Sequence, residues 1–358
     1  MNSRTKLIVG VGTLALAGIT FPAAQQSASP LELRSVIAFV STRDNPDASP
    51  VFSGELYVAE YAAGAEPTLR LTNLRRLTDN NFTDAFPALA PGGRQLVFDS
   101  NRLFSAPALN TSDLFVMDWD GENLHYLVRG SSATWSADGK NIAYHASASG
   151  TGRYIRSDPG SATIDSDIFA LNVDDTVNGV ATPVNLTNAP EWVDDDPDWS
   201  PDGTKIVFTR HLVTDNHNNP LSAEIWVMNA DGTGQVQLTQ NDEEERGAAW
   251  SPDGTRIAFS CRRGTPIQVG GVPTFEICVM NADGSGIARL TFNAIGDLTP
   301  TWSPDGQRIV FHAGSQLFEV NANGGVAEQL TIPPGLNLLA NWGAILVRPP
   351  QPQWPTAR

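Results

Sequence analysis

A short motif, Trp-Ser-Pro-Asp-Gly followed by an Ile-x-Phe stretch, recurs along this chain and limits the folds open to it. The pentapeptide suits a turn, because Pro sets φ, Asp hydrogen-bonds to nearby backbone and Gly accepts a positive φ. Apolar side chains alternate with smaller ones after the turn, which is typical of a half-buried β-strand. An Asn-Ala-Asp-Gly turn follows a third such strand, and Leu-Thr marks a fourth. Each unit is therefore predicted to be a four-stranded antiparallel sheet.

Five copies of this unit occur in the sequence. Their turns follow anchor residues at Leu89, Trp135, Trp199, Trp250 and Trp302. A period of roughly 40 to 65 residues with four short strands predicts the blades of a β-propeller rather than a helical solenoid. The copy at Leu89 is the weakest, because Gly92 stands where the other turns have Asp.

A sixth blade is divided between the two ends of the chain. Residues 36–40 match the second strand of the unit, so the first blade lacks its innermost strand. Residues 338–343 resemble residues 298–303, which form the innermost strand of another blade. We therefore predict an all-β fold, a six-bladed β-propeller that is closed by a C-terminal strand in the first blade. Closure of this kind removes exposed sheet edges.

The segments beside the repeats differ in composition. Residues 1–24 are predicted to be a signal peptide, with Arg4 and Lys6 before an apolar run, and an uncleaved anchor is the alternative because the cleavage site is imperfect. Residues 25–34 are predicted to be a linker, residues 35–343 the propeller and residues 344–358 a Pro-rich C-terminal tail. A secretory signal predicts a periplasmic or secreted protein with no membrane span once the signal is removed.

The repeat resembles the TolB-type, WD40-like propeller repeat, whose hallmark is this turn followed by an Ile-Ala-Phe strand. The resemblance covers about residues 35–343 and is strongest in the units that begin at Trp199, Trp250 and Trp302. It implies the propeller fold, but the repeat serves binding proteins, peptidase-associated domains and a few enzymes. The α/β domain that precedes the propeller in TolB has no counterpart in the sequence, so the inner-membrane partners of TolB are not implied.

Composition and motifs exclude several functions. The chain has 39 Asp and Glu against 23 Lys and Arg, a formal net charge of −16, whereas nucleic-acid binding needs a basic footprint. The sequence contains no phosphate loop, dinucleotide fingerprint or Gly-x-Ser-x-Gly motif. We therefore expect neither a nucleic-acid partner nor an organic cofactor.

Strand direction places the long connections and the starts of the innermost strands on one face of the ring. Long loops on a rigid β scaffold often carry binding residues. The predicted binding residues lie at this face, around the mouth of the central channel: Asp84, Trp192, Asp194, Asp195, Asp196, Glu245, Asp297 and Asn337.

The acidic character of the predicted mouth leaves three hypotheses open. The mouth binds a protein or peptide that carries Lys or Arg, because negative potential attracts cations. It binds Ca²⁺, which prefers carboxylate oxygens but needs about six to eight converging ligands. Alternatively, it is a solvated acidic rim that keeps the protein soluble.

The expected function is extracytoplasmic, non-enzymatic binding or scaffolding of a protein or peptide partner. The alternative is a metal-assisted carbohydrate lyase or hydrolase at the same mouth, although we can assemble no converging catalytic constellation. Scattered arginines are its candidates for holding an anionic sugar: Arg153, Arg156, Arg210, Arg262 and Arg263. A third hypothesis is a purely structural surface protein.

Cysteine and histidine positions add two smaller predictions. Cys261 and Cys278 are the only cysteines, and they fall in adjacent antiparallel strands of one blade. Because export permits oxidation, we predict a cross-strand disulfide. His145 and His312 share one repeat position, directly after the strand aromatic, and are interpreted as packed or hydrogen-bonded histidines rather than half of a metal site.

Overall fold

The computed structural model describes residues 32–44, 54–103, 112–147, 166–177, 179, 182–212, 223–241, 243–262, 268–269, 272–293, 295–333 and 335–347. Their strands form six four-stranded antiparallel sheets and one two-stranded hairpin. The innermost strands contact one another in sequence and close into a ring. The predicted six-bladed β-propeller is therefore confirmed. The predicted signal peptide, residues 1–24, lies outside the described residues.

Each blade runs from an innermost strand at the channel to an outermost strand at the edge of the ring. In that order, blade 1 consists of Asn337–Val347, Glu32–Ser41, Glu55–Tyr61 and Leu71–Arg76, and blade 2 of Asp84–Leu89, Gln95–Ser100, Asp113–Asp118 and His125–Arg129. Blade 3 consists of Ser131–Trp135, Asn141–Ala146, Asp167–Asn172 and Val184–Asn185, and blade 4 of Trp192–Trp199, Lys205–Leu212, Glu224–Asn229 and Val236–Gln237. Blade 5 consists of Glu245–Trp250, Arg256–Cys261, Glu276–Asn281 and Ala288–Arg289, and blade 6 of Asp297–Trp302, Arg308–Ala313, Gln316–Asn321 and Glu328–Gln329. The other elements are the 3₁₀ helix Pro67–Leu69, the α-helix Val173–Val177 and the hairpin formed by Gln268–Val269 and Val272–Pro273.

The repeated turn connects the first and second strands of a blade, and its side chains explain its sequence. In blade 5 the hydroxyl of Ser251 donates to a carboxylate oxygen of Asp253 at 2.6 Å, and the backbone N–H of Thr255 donates to the same oxygen at 3.0 Å. Gly254 has a φ of 68°, which favours glycine. The Asp of this motif therefore forms the turn, as its sequence context predicts.

The C-terminal strand closes the ring by pairing with the first strand of the chain. In this antiparallel pair Trp342 lies opposite Ile37, so the predicted closure is confirmed. The pairing continues to Glu32 and Val347, into residues that the sequence assigned to the linker and the tail. Ile345 is only 1% exposed and lies against Gly93, where a Cβ atom would overlap it, so the strand is held beyond Trp342.

The hydrophobic core lies between neighbouring blades, because a single sheet has no interior of its own. Between blades 4 and 5, Val207 packs with Trp250 and Phe259. Between blades 6 and 1, Val310 packs with Trp342. Each anchor tryptophan therefore helps to join two blades.

Each innermost strand contains a β-bulge within its first half or near its middle. The residue at the bulge has a positive φ in all six blades: Phe86 (46°), Ser132 (51°), Asp196 (47°), Gly247 (59°), Thr299 (51°) and Leu339 (52°). Five of the six are not glycine, so this backbone is unfavourable in isolation and is imposed by the surrounding ring. Together these six residues form the bulge ring, which encircles the central channel.

Cys261 and Cys278 form a disulfide between the second and third strands of blade 5, with their Cα atoms 5.9 Å apart. Both residues are fully buried in the cluster that joins blade 5 to blade 4. The cross-link therefore lies inside the core and away from the channel wall.

Candidate functional site in the central channel

The central channel holds a cavity of about 520 Å³ that all six innermost strands line. The cavity extends from the bulge ring to the repeated turns. It reaches the face of those turns, since four exposed prolines line it: Pro91, Pro201, Pro252 and Pro304. A cavity of this volume is within the range of small-molecule and side-chain binding sites.

Blade 4 supplies two carboxylates to the cavity wall, Asp196 and Asp198. Asp196 lies at the bulge, where its backbone N–H donates to Nδ1 of His145 at 3.3 Å. Asp198 accepts a hydrogen bond from the hydroxyl of Thr134 at 2.9 Å and another from the backbone N–H of Trp250 at 2.8 Å. Its carboxylate is therefore held from blade 3 on one side and from blade 5 on the other.

The wall across from these carboxylates carries no charge and is partly apolar. Blade 1 faces blade 4 across a ring of six, and it contributes Leu339 at the bulge. Blade 2 contributes Phe86 at the same level. The channel therefore presents negative charge on one side and uncharged, partly apolar surface on the other, so a group with a cationic end and an apolar part fits it best.

The charge of this wall depends on pH. Burial raises the pKa of Asp198 to about 6, although its two hydrogen bonds act in the opposite direction. Behind the wall, burial raises the pKa of Asp99 to about 8, and the nearby charge of Asp196 adds to this shift. Asp99 is therefore protonated at neutral pH, whereas Asp198 is mostly ionised.

The residues predicted from the starts of the innermost strands lie elsewhere. Five of them are fully buried and are not part of the cavity wall: Asp84, Asp194, Glu245, Asp297 and Asn337. Their expected exposure is therefore corrected. Four of them begin a strand, and Asp194 is the third residue of Trp192–Trp199. The neighbouring blade covers this part of each strand, so the side chains are buried instead of exposed to solvent.

Three of these buried residues accept hydrogen bonds from arginine side chains. Arg210 donates two hydrogen bonds to Asp194, at 2.6 and 2.7 Å, while its guanidinium carbon lies 4.9 Å from the ring centre of Trp226. Arg102 donates to Asp84 at 2.9 Å and stacks 4.7 Å from the ring centre of Phe115.

The third arginine, Arg43, donates to Asn337 at 2.8 Å and lies 4.9 Å from the ring centre of Tyr57. The two Arg–Asp pairs neutralise part of the acidity that the sequence placed at the mouth, whereas Arg43 contacts an uncharged amide.

The remaining predicted rim residues occupy blade 4. Asp195 is 5% exposed and lies 3.9 Å from His211. Trp192 is half-buried, and its ring centre is 6.3 Å from that of Trp226. The long loops of this face, residues 104–111, 148–165, 213–222 and 263–267, lie outside the described residues. Binding at this rim stays a prediction.

The residues put forward for a sugar-cleaving enzyme do not converge in the described part of the chain. Arg210 pairs with Asp194, and Arg262 pairs with Glu244 at 2.7 Å. Arg153, Arg156 and Arg263 lie outside the described residues. Among the residues that are described, no group of three or more His, Cys, Asp or Glu could hold a metal ion.

The two histidines of the repeat are hydrogen-bonded within the ring. His145 accepts from the bulge residue Asp196, and Nδ1 of His312 lies 2.8 Å from the hydroxyl of the bulge residue Thr299. Each histidine therefore supports the strained backbone that lines the channel.

Within the described ranges, no helix is long and apolar enough to cross a bilayer.

Comparison with solved structures places this ring among known folds. The chain superposes on TolB from Acinetobacter baumannii with a TM-score of 0.62 and 17% identity, over 86% of this chain and 66% of that one. It superposes on a putative TolB from Agrobacterium tumefaciens with a TM-score of 0.58 and 18% identity, over 89% of this chain and 100% of that one. The fold is that of the TolB propeller. The predicted resemblance is confirmed, and no family model matches the chain.

Sequence relatives match this TolB-type propeller over shorter stretches. The Tol-Pal system protein TolB of Anaeromyxobacter dehalogenans (strain 2CP-C) is 40% identical over 106 residues, which are 30% of this chain and 21% of that protein. The uncharacterized peptidase YuxL of Bacillus subtilis (strain 168) is 30% identical over 116 residues, 32% of this chain and 16% of that protein. The chain therefore spans a small part of the relatives that it matches.

Sequence reasoning missed Asp198, the carboxylate in the channel wall that groups from two neighbouring blades hold in place. A signal for it exists in the repeat. The residue before the anchor is Ala, Thr or Asn in the other blades, and blade 4 alone has an acid there. The ring of bulges has no such signal, because six different side chains adopt one unusual backbone conformation.

Proposed function

We propose that this chain is a non-enzymatic, extracytoplasmic binding protein that holds a segment of a protein or peptide carrying a basic group in its central channel. The observation that carries the proposal is the pair of carboxylates on one blade, Asp196 and Asp198, in a channel that Leu339 of the facing blade and Phe86 of blade 2 also line. A lysine or arginine side chain combines an apolar stem with a cationic head. Such a side chain matches both halves of this wall.

The likeness to TolB supports a binding role, since two TolB structures share the fold. The charges of the channel support a cationic group as the bound part of the partner. Asp196 and Asp198 lie in a partly enclosed channel, where an ion pair is screened less than at an open surface. The net charge of −16 further favours approach of a cationic partner. The predicted signal peptide supports export to the periplasm or the medium.

Calorimetry with a defined probe tests the ligand chemistry. The acetylated and amidated peptide Leu-Ala-Lys-Ala-Leu is compared with the same peptide in which norleucine replaces lysine. We expect the lysine peptide to bind more tightly, and Asp196→Asn to weaken it by roughly fivefold to tenfold. Asn accepts a positive φ almost as readily as Asp, so this variant keeps the bulge. Glu191→Gln, an exposed acid of the opposite face, is the matched control.

The pH dependence of binding provides a second readout. Because the pKa of Asp198 is raised to about 6, its charge disappears as pH falls below that value. We expect the lysine peptide to bind more weakly at pH 5 than at pH 7.5, whereas the norleucine peptide changes little. Equal binding of both peptides at both pH values would contradict the channel proposal. A loss of binding confined to Glu191→Gln would move the site to the opposite rim.

Cell fractionation tests the location. When the full chain is expressed with residues 1–24 intact in a bacterium that has an outer membrane, osmotic shock is expected to release it. Retention in the cytoplasm at full length would contradict export, independently of the binding result.

A further inference from the structure

The bulge ring has one position without a side chain, Gly247 of blade 5. The other five positions carry Phe, Ser, Asp, Thr or Leu. Gly247 has a φ of 59°, and the φ values of the other five lie between 46° and 52°. The backbone conformation therefore does not require glycine at this position, because five other residues adopt it in the same ring.

Packing does not require glycine at this position either. Apart from its chain neighbours, a Cβ atom built on Gly247 would meet one atom of the described residues within 4 Å, the Cα atom of Thr299 at 3.9 Å, which is an ordinary van der Waals contact. Crowding does require glycine elsewhere, since a Cβ atom on Gly93 would lie 2.3 Å from the side chain of Ile345. Gly247 therefore leaves a space in the channel wall that neither the backbone nor the packing of the ring explains.

The groups beside this space come from the two neighbouring blades. Blade 5 lies between blades 4 and 6, so Asp196 stands on one side of Gly247 in the bulge ring and Thr299 on the other. The backbone N–H of Gly247 donates to the hydroxyl of Thr209 at 3.2 Å, and the hydroxyl of Thr299 lies 2.8 Å from Nδ1 of His312. The space, which we call the Gly247 gap, is therefore flanked by a carboxylate and a hydroxyl, and its backbone is fixed.

Asp196 is the channel carboxylate with room for a ligand. Both oxygens of Asp198 already accept hydrogen bonds from the ring, one from Thr134 at 2.9 Å and one from Trp250 at 2.8 Å. Asp196 is half-buried, and in the described part of the chain no Lys or Arg forms an ion pair with it. A cationic group that enters the channel therefore meets the carboxylate of Asp196 with the Gly247 gap beside it.

The two common cationic side chains make different demands on such a place. The ammonium of lysine is compact, whereas the guanidinium of arginine is a flat, wider group with N–H donors on more than one edge. One edge can donate to both oxygens of a carboxylate. The donors on another edge need a second acceptor, and a threonine hydroxyl has two lone pairs. A carboxylate, a space and a hydroxyl in this order match a guanidinium better than an ammonium.

We propose that Gly247 is a specificity-determining residue of the channel, because the space that it leaves between Asp196 and Thr299 admits a guanidinium. The channel therefore prefers an arginine side chain to a lysine side chain. This inference rests on the proposed function, in which the channel binds a basic group. It adds which basic group is bound and assigns the selection to one residue.

Calorimetry on the wild-type protein tests the preference. The acetylated and amidated peptide Leu-Ala-Arg-Ala-Leu is compared with peptides that carry lysine, citrulline or norleucine at the central position. We expect the arginine peptide to bind roughly fivefold more tightly than the lysine peptide, because the guanidinium makes more hydrogen bonds to the wall. The citrulline peptide, which keeps the shape of arginine without its charge, should bind as weakly as the norleucine peptide.

The four peptides separate failure of this inference from failure of the proposed function. Equal affinities for the arginine and lysine peptides, both above that for norleucine, would overturn the role of the Gly247 gap and leave the proposed function standing. Equal affinities for all four peptides would overturn both.

Filling the gap tests the residue itself. Gly247→Leu copies Leu339, which occupies the equivalent bulge of blade 1, and Gly247→Ala fills part of the space. We expect the preference for arginine over lysine to fall in Gly247→Ala and to disappear in Gly247→Leu, while the affinity for the lysine peptide changes little. Gly64→Ala is the matched control, because Gly64 has a positive φ of 86° in an exposed turn with open space around it.

The control variant should keep the wild-type preference for arginine. A preference that survives in Gly247→Leu would refute the assignment to Gly247. The ratio of the two affinities is measured on one folded sample, so a change in stability alone does not alter it. If Gly247→Leu does not fold, the ratio in Gly247→Ala decides.

Discussion

The indole nitrogen of Trp342 donates a hydrogen bond of 2.6 Å to the hydroxyl of Ser35, which lies 307 positions earlier in the chain. Trp342 is 6% exposed and packs against blade 6 as well as against its partners in blade 1. The bond therefore joins the two ends of the chain within blade 1, and the packing of Trp342 on blade 6 joins the last blade to the first. Closure of the propeller depends on this contact and on the strand pairing around it.

Removal of the Trp342 side chain should open the ring. We expect Trp342→Ala to lower the free energy of unfolding by about 3 to 5 kcal/mol, because it leaves a large cavity between blades. Ser35→Ala, which removes only the acceptor of the indole N–H, should lower it by about 1 to 3 kcal/mol. Urea titration followed by tryptophan fluorescence measures both values. Equal effects of the two variants would contradict a packing role for Trp342.

Asp194 should matter for stability, since Arg210 depends on it. We expect Asp194→Ala to lower the free energy of unfolding by about 3 to 5 kcal/mol, because the buried guanidinium of Arg210 loses its counter-charge. The double variant Asp194→Leu with Arg210→Met should recover most of that loss. Thermal and urea unfolding of the three proteins provide the comparison. A small effect of Asp194→Ala would indicate that Arg210 finds solvent or another partner.

The turn carboxylate Asp253 should produce an acid-dependent loss of stability. The hydroxyl of Ser251, followed by the N–H of Thr255, lowers the pKa of Asp253 to about 2. Because the pKa is lower in the folded chain, its stabilisation is present above about pH 4 and is lost as pH falls towards 2. Asp253→Ala should lower the free energy of unfolding by about 1 kcal/mol at pH 7, because the hydrogen bonds of an exposed group contribute little more than that. Glu122→Ala, which removes an exposed acid in another turn, is the control and should not change the free energy of unfolding. A similar loss in that variant would contradict the explanation that Asp253 stabilises its turn through hydrogen bonds.

The disulfide should stabilise the fold without affecting the channel. Cys261 and Cys278 are separated by 17 positions, and closing a loop of that length contributes about 3 kcal/mol in the chain-entropy account. We expect the Cys261→Ala, Cys278→Ala variant to lose about that much stability and to bind the lysine peptide like the wild type. Urea unfolding with and without reductant, together with mass spectrometry, provides the test. Two free thiols in exported wild-type protein would contradict it.

Much of this architecture could be predicted because the repeat carries its own local chemistry. The Ser-Pro-Asp-Gly turn and the strand after it form contacts between close neighbours, such as Ser251 with Asp253. Local contacts of this kind leave a pattern in the sequence, and five copies of the pattern, with a sixth blade divided between the two ends of the chain, predict the ring. The closing strand was also predictable, since residues 338–343 repeat the pattern of an innermost strand.

The candidate site was predictable only in part. Sequence position correctly placed Asp84 at the start of an innermost strand and Asp194 within two residues of one, but it did not show that the neighbouring blade covers them. Arg102 and Arg210 come from the second strands or just after them, and the same pairing buries them beside the acids. Burial is a property of the assembled ring, so it cannot be inferred from the order of residues within one blade.

The sequence by itself determined the number of blades, their turns and the way the ends meet, because those features depend on short-range hydrogen bonds and on the alternation of side chains. Tertiary structure alone decided which carboxylates face the channel. Asp196 reaches the wall because a bulge gives it a positive φ of 47°, and Asp198 is held there by groups from blades 3 and 5. Both effects arise from contacts between blades, which form only when six sheets pack around one axis.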